Sequence, residues 1–121
     1  ELPVSAPFHC SLMQPAADEM QAALSDTKIS APAVPVIANV CAVPVSDPEE
    51  IRRLLVEQIT ARVRWRESMI WLANNNVSNL VELGNGRVLA TMARRIDPRL
   101  AATALSTPDD IRTYLEETQG D

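Results

Sequence analysis

NLVELGNGRVLATMARRIDPRLAATALS, residues 79–106, decides the fold. NLVELG, 79–84, is a short apolar run of strand length. GRVLATMARRI, 86–96, reads as a helix, with Arg94 and Arg95 at its C-terminal end, where cations complement the negative end of the helix dipole. LAATALS, 100–106, is a second strand-length apolar run. Strand, helix and strand in so short a span point to an α/β protein with parallel strands.

Working outward, the pattern continues on both sides. Thr107 and Pro108 start a final helix of about ten residues. A helix near 66–75 carries Met69, Ile70 and Leu72. Another, 48–60, is capped by Asp47 with Pro48 in its first position, and sets Ile51, Leu54, Leu55 and Ile59 on one face. PVIANV, 35–40, reads as a further apolar strand. Ser11 is the predicted cap of a helix running to about Leu24, with Leu12, Ala16, Met20 and Ala23 along one side and Pro15 in its first turn. Residues 2–8 are expected to be extended, because Pro3 and Pro7 restrict the backbone. The three strands are apolar on both faces, as in central strands of a parallel sheet covered by helices. Three strands alone would leave hydrogen-bonding edges open, so neighbouring strands are expected from outside these residues. The opening, Glu1 followed directly by LPVSAPF, fits the same expectation: residues 1–121 read as one compact piece of a larger domain.

Composition narrows the function. The 121 residues carry 46% hydrophobic residues, too many for a disordered chain. A formal charge of −5 argues against a general nucleic-acid binder, which needs a basic face for phosphates. The apolar runs are too short for a membrane span and none has the form of a signal peptide. A soluble, cytoplasmic protein is expected. Cys10 and Cys41 have no C-x-x-C spacing and only one histidine to join them, so no metal site is expected and the thiols are read as buried and unpaired.

That histidine is His9, in PFHCSLMQPAADEM, 7–20. It ends an extended segment and precedes a helix. One reading is a buried or half-buried ring satisfied by a backbone carbonyl. The other is a general base: a helix N-terminus disfavours imidazolium, and a base must be uncharged to accept a proton. A base needs a nucleophile, and this chain offers none. There is no G-x-S-x-G elbow, the serines have no strand-to-helix turn to expose them, and the side chain of Cys10, adjacent in sequence, is expected to point away.

LPVSAPFHCSLMQPAADEM, PVIANV, LLVEQITARVRWRESMIWL and VELGNGRVLATMARRI, in this order and spacing, resemble the C-terminal part of the malonyl-CoA:acyl carrier protein transacylase family. Acyltransferase domains of polyketide and multifunctional fatty acid synthases share much of the pattern. The resemblance implies the C-terminal part of the hydrolase-like large subdomain of the acyl transferase fold. It implies a ping-pong enzyme of fatty acid biosynthesis that loads malonyl from malonyl-CoA onto a serine and then onto the phosphopantetheine thiol of acyl carrier protein, with no cofactor. His9 matches the family's catalytic histidine. Gln58 matches the residue whose backbone carbonyl orients it. Phe8 matches a position that helps set acyl-group size, with core packing as the alternative. The family's G-H-S-x-G serine, its malonyl-binding arginine and its ferredoxin-like subdomain have no counterpart here and are expected on the N-terminal portion of the same enzyme. The family turn G-P-G stands here as Gly84-Asn85-Gly86, which is turn geometry and not a phosphate loop.

Arg52, Arg53, Arg62, Arg64 and Arg66 cluster in an acidic chain. They read first as a solvated helix face paired with Glu49, Glu50 and Glu57, and second as a docking surface for the acidic carrier protein. Trp65 and Trp71 are expected in the core or in half-buried seams. The alternative to the enzyme is a non-catalytic acyltransferase-like domain that binds a carrier protein or another partner.

Overall fold

The computed structural model describes residues 7–119, so most of the extended segment expected at 2–8 lies outside the described residues. The chain divides into two compact units, Glu1–Ser68 and Met69–Asp121.

In the first unit a single 3-10 turn, Ser11–Met13, leads into helix α1, Gln14–Ser25. Ser11 is therefore not the cap: Met13 holds that position without a side-chain hydrogen bond, and Pro15 occupies the first turn of α1, where its missing N–H costs nothing. The apolar side expected for α1 also differs. Leu12 is 72% exposed and Met20 39% exposed, while Ala17 is the residue that packs inward. Strands β1, Val36–Ile37, and β2, Pro44–Val45, form an antiparallel hairpin pairing Val36 with Val45. This corrects the strand expected at 35–40, which is neither that long nor parallel. The chain reverses instead, with the Ala42 N–H bonded to the Ala38 carbonyl at 2.8 Å and Ala42 itself in the left-handed region.

Helix α2, Pro48–Glu57, follows the sequence closely. The Asp47 carboxylate accepts from the Glu50 N–H at 2.8 Å, and Leu54 is buried. Of its expected apolar face, Ile51 and Ile59 are half-buried and Leu55 is exposed. α1 packs against α2. Helix α3, Trp65–Asn74, crosses the division between the units and holds both tryptophans half-buried. It ends through Asn76, which takes a left-handed backbone, as asparagine tolerates, so that the Val77 N–H reaches the Leu72 carbonyl.

The second unit is built on β3, Asn79–Leu83, and β4, Ala101–Leu105, joined through helix α4, Val88–Ile96. The strands pair in parallel from Asn79 opposite Ala101 to Leu83 opposite Leu105. α4 lies on this pair through Ala90 and Ala93, whose small side chains let a helix approach closely, above Leu100, Ala102 and Leu105. The expected alternation of strand and helix is present. The expected two-sided burial is not, because Val81 is 38% and Leu83 72% exposed on β3. Helix α5, Pro108–Gln119, closes the unit. Its first turn is held reciprocally: the Asp110 carboxylate accepts from the Ser106 and Thr107 N–H groups, and the Thr107 hydroxyl accepts from the Asp110 N–H. Those N–H donors pull the Asp110 carboxyl below the usual carboxylate range.

The glycine turn is explained by backbone angle and not by crowding. Gly84 and Gly86 have φ of +143° and +111°, and a Cβ at either would meet nothing within 4 Å. Glu82, read from the sequence only as a strand residue, bonds across this turn to the N–H groups of Leu89 (3.3 Å) and Ala90 (2.8 Å). It caps α4, for which Arg87 supplies no side-chain bond.

Candidate acyl-transfer site

The site is centred on His9, which is exposed. Its backbone is left-handed, with φ of +56°, a conformation that histidine adopts more readily than branched residues. The Cys10 backbone that follows is extended, and its carbonyl accepts from the Met13 N–H to start the 3-10 turn. The imidazole is thus displayed at a kink. His9 Nδ1 lies 2.7 Å from the Gln58 carbonyl oxygen, across a sequence separation of 49 residues. A carbonyl can only accept, so Nδ1 carries the hydrogen and donates it. In the uncharged ring this leaves the lone pair on Nε2, away from Gln58.

The end of α2 explains why that carbonyl is available. Gln58 is the C-cap, and the last carbonyls of a helix have no partner one turn on. The chain then turns tightly, with the Ile59, Thr60 and Ala61 N–H groups bonded to Val56 and Glu57, which leaves the Gln58 oxygen to the histidine. The side chain of Gln58 is tied as well: its Oε1 accepts from Asn39 Nδ2 at 3.1 Å. The structure therefore brings His9 and Gln58 together, as the resemblance implies. It also joins Asn39 to them, which sequence reasoning missed. The available signal was a polar residue interrupting the apolar run PVIANV.

Phe8 is 57% exposed beside His9. His9 combines features of both readings, an exposed ring with a backbone carbonyl as partner. The thiols are half-buried and not fully buried. Cys10 Sγ donates to the Pro7 carbonyl at 3.1 Å, and Cys41 Sγ lies 4.0 Å from the Ala38 carbonyl. Among the described residues no three or more His, Cys, Asp or Glu side chains gather as a metal site would require.

The arginines are largely paired. Arg52 bonds Glu49 at 3.2 Å, Arg53 forks between Glu50 and Glu57, and Arg62 and Arg64 share Glu67. The Arg53 guanidinium draws the Glu50 carboxyl down from its ordinary value. Arg66 makes no ion pair among the described residues. The solvated-face reading thus holds for Arg53, while Arg52 pairs with Glu49 but is half-buried, with Nη1 out of solvent and without a hydrogen-bond partner among the described residues; Glu67 is the carboxylate that sequence reasoning overlooked. No helix among the described residues is long and apolar enough to cross a membrane.

The described residues hold a parallel strand pair covered by a helix in one unit and, in the other, an exposed histidine bonded to a helix-end carbonyl, and comparison with known proteins gives the class. No family model matches the chain. It is 43% identical over 116 residues to the malonyl CoA-acyl carrier protein transacylase of Salmonella typhimurium, covering 96% of this chain and 38% of that protein. It is 36% identical over 115 residues to the transacylase of the same name from Bacillus subtilis, covering 95% and 36%. Among solved structures, the acyl-carrier-protein S-malonyltransferase of Bartonella henselae superposes with a TM-score of 0.84 at 51% identity, over 95% of this chain and 37% of that one. A malonyl-transacylase solved in complex with its type II polyketide acyl-carrier protein superposes at 0.82 with 38% identity, over 96% and 38%. The chain spans a little over a third of the length of these relatives. It corresponds to the C-terminal part of malonyl CoA-acyl carrier protein transacylases.

Proposed function

We propose that this chain supplies the base of a malonyl-CoA:acyl carrier protein transacylase acting in fatty acid biosynthesis. The nucleophilic serine, the arginine for the malonyl carboxylate and the ferredoxin-like subdomain belong to the N-terminal portion of the same enzyme. The observation that carries this reading is the 2.7 Å hydrogen bond from His9 to the Gln58 carbonyl. It holds the ring in the tautomer whose Nε2 can take a proton, with no aspartate required.

In the first half-reaction Nε2 accepts the serine proton as the serine oxygen attacks the malonyl thioester carbon. The carbon–sulfur bond then breaks, and the coenzyme A sulfur takes the proton from His9. In the second half the thiol of the carrier-bound phosphopantetheine gives its proton to His9 and attacks the acyl-serine, which regains its hydrogen. Nothing beyond these groups is needed, so no cofactor is assigned. Phe8, exposed beside His9, is read as the residue that helps set acyl-group size. The substrates and partner are malonyl-CoA and acyl carrier protein, and the working compartment is the cytoplasm. Support for the partner comes from the relative solved with its acyl-carrier protein.

The test is intact-mass analysis of the full-length enzyme mixed with malonyl-CoA. One malonyl adduct on a serine is expected. His9→Ala should slow its formation about a hundredfold or more. Near-normal loading by that variant overturns the assignment.

A further inference from the structure

We infer that Asn39 is a positioning residue for the histidine, acting through the side chain of Gln58; this rests on the reading of His9 as the base. Asn39 is held from two sides. Its backbone carbonyl accepts from the Arg64 N–H at 2.8 Å, just before α3. Its Nδ2 donates to Gln58 Oε1 at 3.1 Å. The two amides meet beside a small cavity of about 130 Å³ whose other lining residues include Val36, Ile37, Ile51, Leu54 and Leu55. The bond is part-buried against these walls, so less water competes with it than at a fully exposed amide pair.

Gln58 needs this tether. It lies where α2 has ended, and its own N–H is its only backbone bond back into the helix, to Leu54 and Val56. Its carbonyl must point steadily at His9 Nδ1, and a peptide plane at a helix end is free to tilt. Fixing the side chain of the same residue limits that tilt. A three-residue relay results: Asn39 fixes Gln58, and the Gln58 carbonyl fixes the tautomer and direction of the imidazole. Asn39 touches no reacting atom.

The experiment uses the full-length enzyme with Asn39→Leu, Gln58→Leu, the double variant and Asn39→Asp. Readouts are the acyl-enzyme formation rate, the KM for malonyl-CoA and the His9 tautomer, from ¹⁵N imidazole shifts assigned by difference from His9→Ala. Asn39→Leu should slow loading about tenfold with KM unchanged, and lower the fraction of ring protonated at Nδ1. Gln58→Leu should do the same, and the double variant should be no slower than either single one, because both break one link. Asn39→Asp should restore most of the rate, since its carboxylate can accept from the Gln58 amide N–H once that amide turns over. A wild-type rate and tautomer for either single variant, or multiplied losses in the double, overturns the relay. If Asn39→Leu does not fold, Gln58→Leu with its tautomer readout decides alone. Failure here with a crippled His9→Ala removes only the relay; an active His9→Ala removes the proposed function itself.

Discussion

The two units hold their shape by different means. The second is organised by repetition: a parallel ladder runs from Asn79–Ala101 to Leu83–Leu105, and α4 lies on it through alanines. The first has one packed helix pair, α1 and α2, a hairpin of two-residue strands, several tight turns and a handful of single polar links. Its histidine, His9, has a left-handed backbone and an exposed ring. The lesson is a division of labour. Apolar packing resists substitution by energy spread over many contacts, whereas a directed imidazole depends on one or two hydrogen bonds whose value is geometric.

That contrast can be broken from either side. The largest stability effect is expected at Leu100, which is 1% exposed. Leu100→Ala should cost about 3 kcal/mol in urea unfolding, from lost burial and a residual cavity, and leave the acyl-transfer rate per folded molecule unchanged. His9→Ala should show the reverse, a large loss of rate with little change in unfolding. If Leu100→Ala slowed the chemistry as strongly, the division between units would fail.

A smaller effect is expected at Glu82. Removing its carboxylate by Glu82→Ala leaves two N–H groups at the start of α4 without their partner and should cost about 1 kcal/mol. Equal unfolding curves would show that water replaces the cap. Smaller again is the Asp97–Arg99 pair, which is solvent-screened despite its 2.7 Å contact. Arg99 draws the Asp97 carboxyl down from 3.8 to about 2. A depressed carboxylate stabilises the fold above its unfolded value and loses that contribution as pH falls through its folded one. The difference in stability between the native protein and Arg99→Gln should therefore be full above about pH 4 and fade towards pH 2. A difference independent of pH would assign it to packing of the Arg99 stem. The smallest effect is expected for charge reversal at Arg62 and Arg66. Arg62 is already spent on Glu67, so transfer to acyl carrier protein at low salt should change little. A steep loss would restore the docking reading of that cluster.

Much of the second unit was legible in its residues. Runs such as NLVEL and AATAL carry strand length and composition within themselves, and Thr107-Pro108, like Asp47-Pro48 in the first unit, announces a helix start through local hydrogen bonds and a fixed φ. PVIANV misled because a short apolar run looks the same whether it continues or folds back, and the reversal at Ala42 has no glycine to mark it. Ser11 misled because the chain spends it in a 3-10 turn before α1 begins. Leu12 and Met20 read as core because periodicity reports that a helix has an apolar side, and not what covers it.

At the site, residue types alone led to His9 as the one imidazole and to the absence of a nucleophile, and only family resemblance led to Gln58. Asn39 was not reached by either route. By itself the sequence determined the order of the helices and of the two long strands, the starts of α2 and α5 and the glycines of the 84–86 turn, because these depend on neighbours a few residues apart. Only the tertiary structure decided that a helix-end carbonyl would meet an imidazole 49 residues away, and that an amide from the hairpin would hold it there. Such contacts are set by how distant segments come together in space, and no local pattern encodes that distance.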